Sequence, residues 1–424
     1  MSDMSSFTDP RSLTVSYLQN SCGLSQNSAI NVSKRFLIEN PEKADSFLKL
    51  MRTHGLTQSH IEKIIGTRPT LLLADLDDKL RPNMELLVSL GFSKASLGKM
   101  LSKDPRLLHR DIVDTVNFFK AHGFIDKQIT AMITKRPALI LLNANKNFKP
   151  KLDFLKSVGL MDREVAKILS LEPYILETSL KNHIISCIQV LRQVVGTKEN
   201  VLKVLKAGGW VLKFNLKEVL EPNVSLLKSL GVHEPIILKM FMIQPRSLLL
   251  KPQRIAEIFD EVVKLGFKPN TSFFVLAFRS MSMISKTVWE RKIEAYKSFG
   301  LSEDQVYSAF KMQPLCLICS EKKIKKMMNF FMTKLNFEPS LICMYPNLLI
   351  LSLEKRIIPR CSVLQLLMST GLIKEEIKLF SHLLMTEEKF VEKVVRKYQQ
   401  VLPDIVKAHE GKIEFKGFPV VLKM

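Results

Sequence analysis

One short phrase recurs along this chain, and its recurrence limits the fold more than any other feature does. Pro, any residue, then two Leu or Ile residues appear at Pro69-Thr70-Leu71-Leu72, Pro105-Arg106-Leu107-Leu108, Pro137-Ala138-Leu139-Ile140 and Pro173-Tyr174-Ile175-Leu176. The phrase returns as Pro245 with Leu248-Leu249, Pro314 with Leu317-Ile318, and Pro346-Asn347-Leu348-Leu349. Spacing implies two further copies without the Pro, near Gly209-Trp210-Val211-Leu212 and near Met281-Ser282-Met283-Ile284. A second mark, Gly followed by an apolar residue, falls at Gly23, Gly55, Gly91, Gly123, Gly159, Gly231, Gly266, Gly300 and Gly371, with Gly196 and Asn336 filling the two gaps. Successive marks lie 32 to 37 residues apart, and where both survive the Gly precedes the Pro by 14 residues.

Each period reads as two helices and a turn. Leu152, Leu155 and Val158 fall three apart, on one face of a helix. Gly159 then suits the C′ position, where a left-handed backbone is needed. Asp162 is expected to cap a second helix over 163–171, with Val165, Ile168 and Leu169 on one face. Ser302 and Gln305 have capping-box spacing at the same point of a later period. Pro173 ends the helix, and Ile175 and Leu176 plug the gap to the next unit. Pro82, Pro150 and Pro222, each nine residues before the next Gly, are expected in the first turn of the following helix. Strand signals are nearly absent. A helix pair of this kind cannot bury its apolar stripe alone, so neighbours must stack. The expected fold is all-α, an α-solenoid of about ten units. Residues 1–13 are expected to be a disordered segment, 14–385 the repeat domain, and 386–424 a capping helix and tail.

Charge indicates the class of partner. The 424 residues hold 63 Lys+Arg against 41 Asp+Glu, a formal charge of +22. An excess that large opposes compaction and points to a polyanion, nucleic acid before an anionic membrane surface. Residues 101–350 hold most of it: 38 basic against 22 acidic, or +16, against +2 for 1–100 and +4 for 351–424. Within each period the basic residues gather eight to twelve positions past the Pro, as Lys79, Arg81, Lys146, Lys149, Lys181, Lys217, Arg254, Arg291, Lys292, Lys322, Lys323, Lys325, Lys326, Lys355 and Arg356. Only the period after Pro105 lacks one there, and Arg110 lies nearby. These positions precede or open a helix, where the macrodipole disfavours a cation by about 0.3–1 kcal/mol while free N–H groups welcome a phosphate. A row of such helix starts is a phosphate rail, set against the plainer reading of a solvated lysine face. Arg68, Arg106, Lys135, Arg136 and Arg246, beside the turn prolines, are further candidates. Tyr174 and Trp210, at equivalent points of adjacent periods, could stack on bases or simply pack.

The Pro-x-Leu-Leu mark, the Gly-apolar mark and the period of about 35 residues together resemble the mTERF family, the mitochondrial transcription termination factor proteins. Thr14-Val15-Ser16-Tyr17-Leu18 before Cys22-Gly23-Leu24-Ser25, Arg68-Pro69-Thr70-Leu71-Leu72-Leu73, and Ala408-His409-Glu410-Gly411-Lys412 are similar to its land-plant members. The likeness covers roughly Thr14 to Lys412. It implies a curved superhelix of two α-helices and a short 3₁₀ turn per unit. It also implies nucleic-acid binding in a basic groove and a role in transcription, its termination or RNA maturation in a mitochondrion or chloroplast. Residues 1–12 include Asp3, Asp9 and one Arg and show no evident presequence, a departure from that pattern. Tetratricopeptide and pentatricopeptide units have similar lengths, but their Trp-Leu-Gly-Tyr/Ala-Phe-Pro and Val-x-Tyr-Asn patterns are missing.

Little in the sequence points to catalysis. Cys316-Leu317-Ile318-Cys319 is a lone CxxC, and a structural zinc needs four ligands. The six Cys are too sparse for a disulfide scaffold and fit a reducing compartment. The eight His are scattered, and HExxH, GxGxxG and Walker-type signatures are missing. No apolar run reaches the ~18 residues of a spanning helix. The expectation is a monomeric, non-enzymatic binder of duplex DNA, with RNA binding or a protein scaffold as alternatives. No metal, cofactor, membrane or small-molecule substrate is expected.

Overall fold

A computed structural model describes residues 10–373 and 379–418. The described residues are helical throughout, without strands, and divide into two compact units, Met1–Glu218 and Val219–Met424. Of the segment expected to be disordered, 1–9 lies outside the described residues, while Pro10 to Leu13 open the helix Pro10–Asn20.

The period read from the sequence is the structural repeat. Lys149–Val158 and Asp162–Leu171 form a helix pair, followed by the 3₁₀ turn Pro173–Glu177. Leu152, Leu155 and Val158 are buried, as are Val165, Ile168, Leu169, Ile175 and Leu176. Gly159 has φ +115°, and the N–H of Leu160 reaches back to the carbonyl of Leu155 at 3.3 Å. This closure explains why an apolar residue must follow the Gly: its side chain turns into the core as its N–H caps the helix. Asn336 adopts φ +55° in the same role, as one of the few side chains that tolerate it. Matching 3₁₀ turns occur at Pro69–Leu73, Pro105–Leu108, Pro137–Leu141, Trp210–Lys213, Pro245–Leu248 and Pro314–Ile318. Pro346 instead leads a short helix, Asn347–Ile350. Near Met281 the helix Ser272–Ser282 runs through the place where a turn was expected.

Two local expectations are corrected. Asp162 is the first residue of its helix and Met161 the N-cap, whose N–H donates to the Glu164 carboxylate at 3.0 Å. The capping box at Ser302 and Gln305 forms as read. Pro82 and Pro150 sit in the first turns of Arg81–Ser89 and Lys149–Val158, as expected, whereas Pro222 sits deeper. Pro222 lies inside Leu216–Ser229, a π turn Leu76–Leu80 precedes Pro82, and a short helix Ala144–Asn147 precedes Pro150. Pro has no N–H and crowds the carbonyl four residues back, so the chain takes a wider or broken turn there.

These prolines introduce a second periodic device. The residue eight before the repeat Gly points inward and donates to the carbonyls of the turn that ends its own repeat. Asn83 reaches Leu107 at 2.9 Å and Arg110 at 2.8 Å, Thr115 reaches Leu142 at 3.0 Å, and Lys151 reaches Leu176. Asn223 reaches Leu248 at 2.9 Å and Leu250 at 2.8 Å. A buried carbonyl without a partner costs about 1–3 kcal/mol, so each donor locks one turn to its first helix.

At the end of the second unit, Arg360, 1% exposed, donates to the carbonyls of His382, Leu383 and Met385 and to Glu387 at 2.8 Å. Phe390, Val394, Val395, Ile405 and Ala408 pack with Val363 and Leu367 as a shared core.

Candidate nucleic-acid interface

Each first helix after a turn begins earlier than the basic residues alone suggested. Six residues after six of the seven turn prolines stands a small polar residue that takes up an N–H of the helix start; after Pro245 the place is held by Lys251. Asp75 accepts from Asp77 at 2.9 Å, Asp111 from Val113 at 3.2 Å, Asn143 from Lys146 at 2.9 Å and Ser179 from Asn182 at 3.1 Å. Ser320 and Ser352 accept from Lys323 and Lys355, both at 3.2 Å. The sequence showed this series in plain phase with the prolines, and it was missed. These caps occupy N–H groups that the rail would otherwise offer to phosphate, so anion binding there falls to the Lys and Arg side chains.

The candidate cations separate by what they touch. Lys292 is corrected: it is 5% exposed, and its ammonium donates to the carbonyls of Leu317 at 2.7 Å and Ile318 at 3.2 Å. It stands eight residues before Gly300, in the inward register of Asn83 and Asn223, and burial pulls its pKa down. Lys323 donates to Ile350 at 2.8 Å, Arg356 to Leu384 and Met385, and Lys135 to Leu171 at 2.6 Å. These three close helix and turn ends, a favourable place for a cation.

A second group is paired with carboxylates. Lys79 meets Asp111 at 3.4 Å, Arg81 meets Asp77 at 2.7 Å, and Lys149 meets Asp153 at 2.7 Å. Arg106 forks onto Asp104, Arg136 meets Glu177 at 2.5 Å, and Arg254 meets Glu257 at 3.0 Å. Arg291 meets Glu321 at 3.5 Å and Lys326 meets Glu354. Burial pushes the Asp104 carboxyl up, but the Arg106 side chain and N–H outweigh it and hold the group below its ordinary range. Exposed pairs of this kind are worth at most about 1 kcal/mol, so a phosphate can compete for their cations.

The third group is exposed and makes no ion pair or side-chain hydrogen bond with a described residue: Lys146, Lys181 and Lys217 in the first unit, Lys322, Lys325 and Lys355 in the second. All six lie at first-helix starts. Arg246 is exposed on its turn. Burial first, and then the charges of Arg68 and Arg110, hold the His109 imidazole below the ordinary pKa.

Tyr174 is 42% exposed, with the Arg136 guanidinium 5.3 Å from its ring centre. Trp210 packs edge-on against Phe214 at 6.0 Å, and Phe214 is itself exposed. Phe214 escaped sequence reading because it follows the turn instead of opening it. The turns that hold Tyr174 and Trp210 pack side by side.

Nucleophilic chemistry finds no support in the thiols. Cys316 and Cys361 are buried and pushed well above the ordinary thiol range by desolvation, and Cys343 is pushed up to about 11. Among the described residues, no group of three or more His, Cys, Asp or Glu is placed to hold a metal ion, and no helix is long and apolar enough to cross a membrane.

Three relatives share part of this chain. The chloroplastic transcription termination factor MTERF8 of Arabidopsis thaliana is 24% identical over 138 residues, 32% of this chain and 28% of that protein. The chloroplastic transcription termination factor MTERF2 of the same plant is 38% identical over 63 residues, 15% and 10% of the two chains. The mitochondrial transcription termination factor 3 of Drosophila melanogaster is 26% identical over 112 residues, 26% and 30%. The matches thus span less than a third of each relative. The mTERF family model matches residues 48–116, 116–276 and 173–391, which together cover most of the chain and every 3₁₀ turn described above. With its helix pairs, left-handed Gly turns and Pro-led 3₁₀ turns in that same register, the chain belongs to the mTERF family.

Proposed function

We propose that the protein binds nucleic acid through the lysines and arginines at its first-helix starts, with duplex DNA as the preferred ligand, and regulates transcription or its termination in an organelle. The observation that carries this reading is the third group of cations: Lys146, Lys181, Lys217, Lys322, Lys325 and Lys355 recur at first-helix starts, exposed and in no ion pair with a described residue. Contacts of this kind are to phosphate, so binding is strongly salt-dependent and sequence-tolerant. The relatives' names supply the process and the compartments, chloroplast and mitochondrion. The test is fluorescence anisotropy of a labelled duplex between 50 and 300 mM salt. Affinity that does not fall across that range ends the electrostatic reading.

A second reading is binding of RNA during its maturation, favoured by exposed Tyr174 and Phe214 beside Trp210. Unpaired bases stack on such rings; a duplex hides its bases from them. Competition among duplex DNA, structured RNA and single-stranded RNA separates the two. Reversing the charge of Lys322 and Lys325 together with Lys355 distinguishes both from a protein scaffold, since a scaffold keeps its partner while nucleic-acid affinity is lost. Expression of the tagged product of the longest transcript, followed by microscopy, tests the compartment.

A further inference from the structure

In the first unit the second helices of five repeats, Gln58–Thr67, Lys94–Lys103, Asp126–Lys135, Asp162–Leu171 and Lys198–Lys206, pack one on the next as a layer. Their N-caps are Thr57, Ser93, Ile125, Met161 and Thr197. Six residues past each cap stand Lys63, Lys99, Ala131, Lys167 and Lys203, and all four lysines are exposed. One helical turn to either side, the same stripe adds Lys127 and Arg163 towards the helix starts, and Lys103 and Lys135 towards the ends. Lys103 donates to the carbonyl of Lys135 at 3.2 Å, and Lys135 in turn to that of Leu171, so the lower edge is stitched from helix to helix. Glu199, beside Lys203, is the one carboxylate on these positions.

The second unit provides the contrast. There the equivalent positions after the caps His233, Thr271, Ser302 and Glu338 hold Pro235, Phe273, Asp304, Met312 and Met344, with Lys239 as the lone cation. Phe273, Met312 and Met344 are 51%, 47% and 62% exposed. A solvated lysine face common to all repeats of a basic chain would appear in both units. It appears in one.

We propose that this stripe is a second phosphate-binding row, distinct from the first-helix starts, and that the first unit grips the sugar–phosphate backbone with both. The proposal rests on the nucleic-acid reading given above and adds its location. Adjacent packed helices lie about 8–10 Å apart, so Lys63 to Lys203 extend over about 32–40 Å. At 3.4 Å of axis per phosphate along one strand, that is about nine to twelve phosphates, about one lysine to every two or three. The surface is long enough for a full duplex turn.

The experiment compares four forms of the full chain on a labelled 30-base-pair duplex across 50–300 mM salt. In the first variant Lys63, Lys99, Lys167 and Lys203 are all changed to Gln. In the second the same four are changed to Arg. In a charge-matched control Lys264, Lys268, Lys311 and Lys334, exposed residues of the second unit, become Gln. The Gln stripe variant is expected to lose about three to four units of the log–log salt slope, about 0.9 per phosphate contact, and at least about 30-fold in affinity at 100 mM salt. The Arg variant is expected to keep both, and the control to stay within about threefold of the unaltered chain. A Gln stripe variant that keeps its fold by circular dichroism and binds as the control does overturns the second row and leaves the first-helix reading standing. Failure of the unaltered chain to bind overturns both.

Discussion

The ammonium of Lys292 lies 2.7 Å from the carbonyl oxygen of Leu317, twenty-five residues further along the chain. The same span joins Asn223 to Leu248 and Lys151 to Leu176, so one internal distance recurs through chemically different donors. A lysine that looks like a phosphate ligand by spacing is, by its surroundings, a bolt that closes a repeat.

Changing Lys292 to Met keeps the aliphatic stem and removes the donor. Two carbonyls near Leu317 then lose their partner, which costs about 1–3 kcal/mol. Chemical denaturation is expected to show the second unit melting earlier, while duplex affinity stays within about twofold. A large loss of affinity in a folded variant would restore Lys292 to the interface.

Lys146, Lys181 and Lys217 changed together to Gln should leave stability nearly unaltered, because they are exposed and form no ion pair with a described residue. The salt slope for a duplex is expected to fall by about 2.7 units, 0.9 for each lost phosphate contact. Anisotropy titrations at several salt concentrations read this directly.

Gly209 and Gly91 both have positive φ, +58° and +88°. A methyl group at Gly91 meets open space, while at Gly209 it comes within 2.2 Å of the Ile168 side chain. Ala at Gly91 is expected to cost about 1–2 kcal/mol for backbone strain alone. Ala at Gly209 adds an overpacking cost of about 1–3 kcal/mol. Thermal melting of the two variants should rank them in that order.

Glu387 receives Arg360 at 2.8 Å and His409 at 2.7 Å. Burial pushes the carboxyl up, but these two partners outweigh it and hold its pKa below the ordinary 4.5. A folded pKa below the unfolded one gives stability that is present above about pH 4.5 and lost as pH falls through the folded value. Acid titration of the unaltered chain should loosen the packing of Phe390 and Ile405 only once pH has fallen below the ordinary Glu value. The Glu387→Gln variant starts less stable and changes less across that window. Equal acid sensitivity of the two would refute the assignment.

Tyr174 changed to Ala tests the RNA reading. Stacking of a base on an exposed ring is worth about 1–3 kcal/mol, a loss of about 5- to 150-fold for single-stranded RNA. Duplex affinity is expected to change far less.

The architecture was legible in the sequence because its signals act locally. A Gly with positive φ, a Pro that ends a helix and apolar residues three and four apart impose their geometry on the nearest few bonds. Repeated in phase, they fix the helix pair, its boundaries and its stacking. Gly159, Leu160 and Pro173 read correctly for that reason. Asp162 was misplaced by only a residue and Pro222 by about a turn, since helix ends depend on which side chain reaches a free N–H first.

The interface was less legible. Position in the period put Lys181, Lys217 and Lys292 together at first-helix starts, but Lys292 lies in the middle of Lys286–Lys297, and nothing local told which of the three faces inward. The lysines after the second-helix caps kept a phase of their own, and counting from the prolines passed over them.

The sequence by itself determined the repeat, the all-α class and the surplus of positive charge, each a property of neighbouring residues or of composition. Only the tertiary structure decided which cations are buried or paired and which are exposed. That follows from distance through space: Lys292 finds its carbonyls by folding back across a helix and a turn, whereas Lys181 is exposed and forms no ion pair with a described residue.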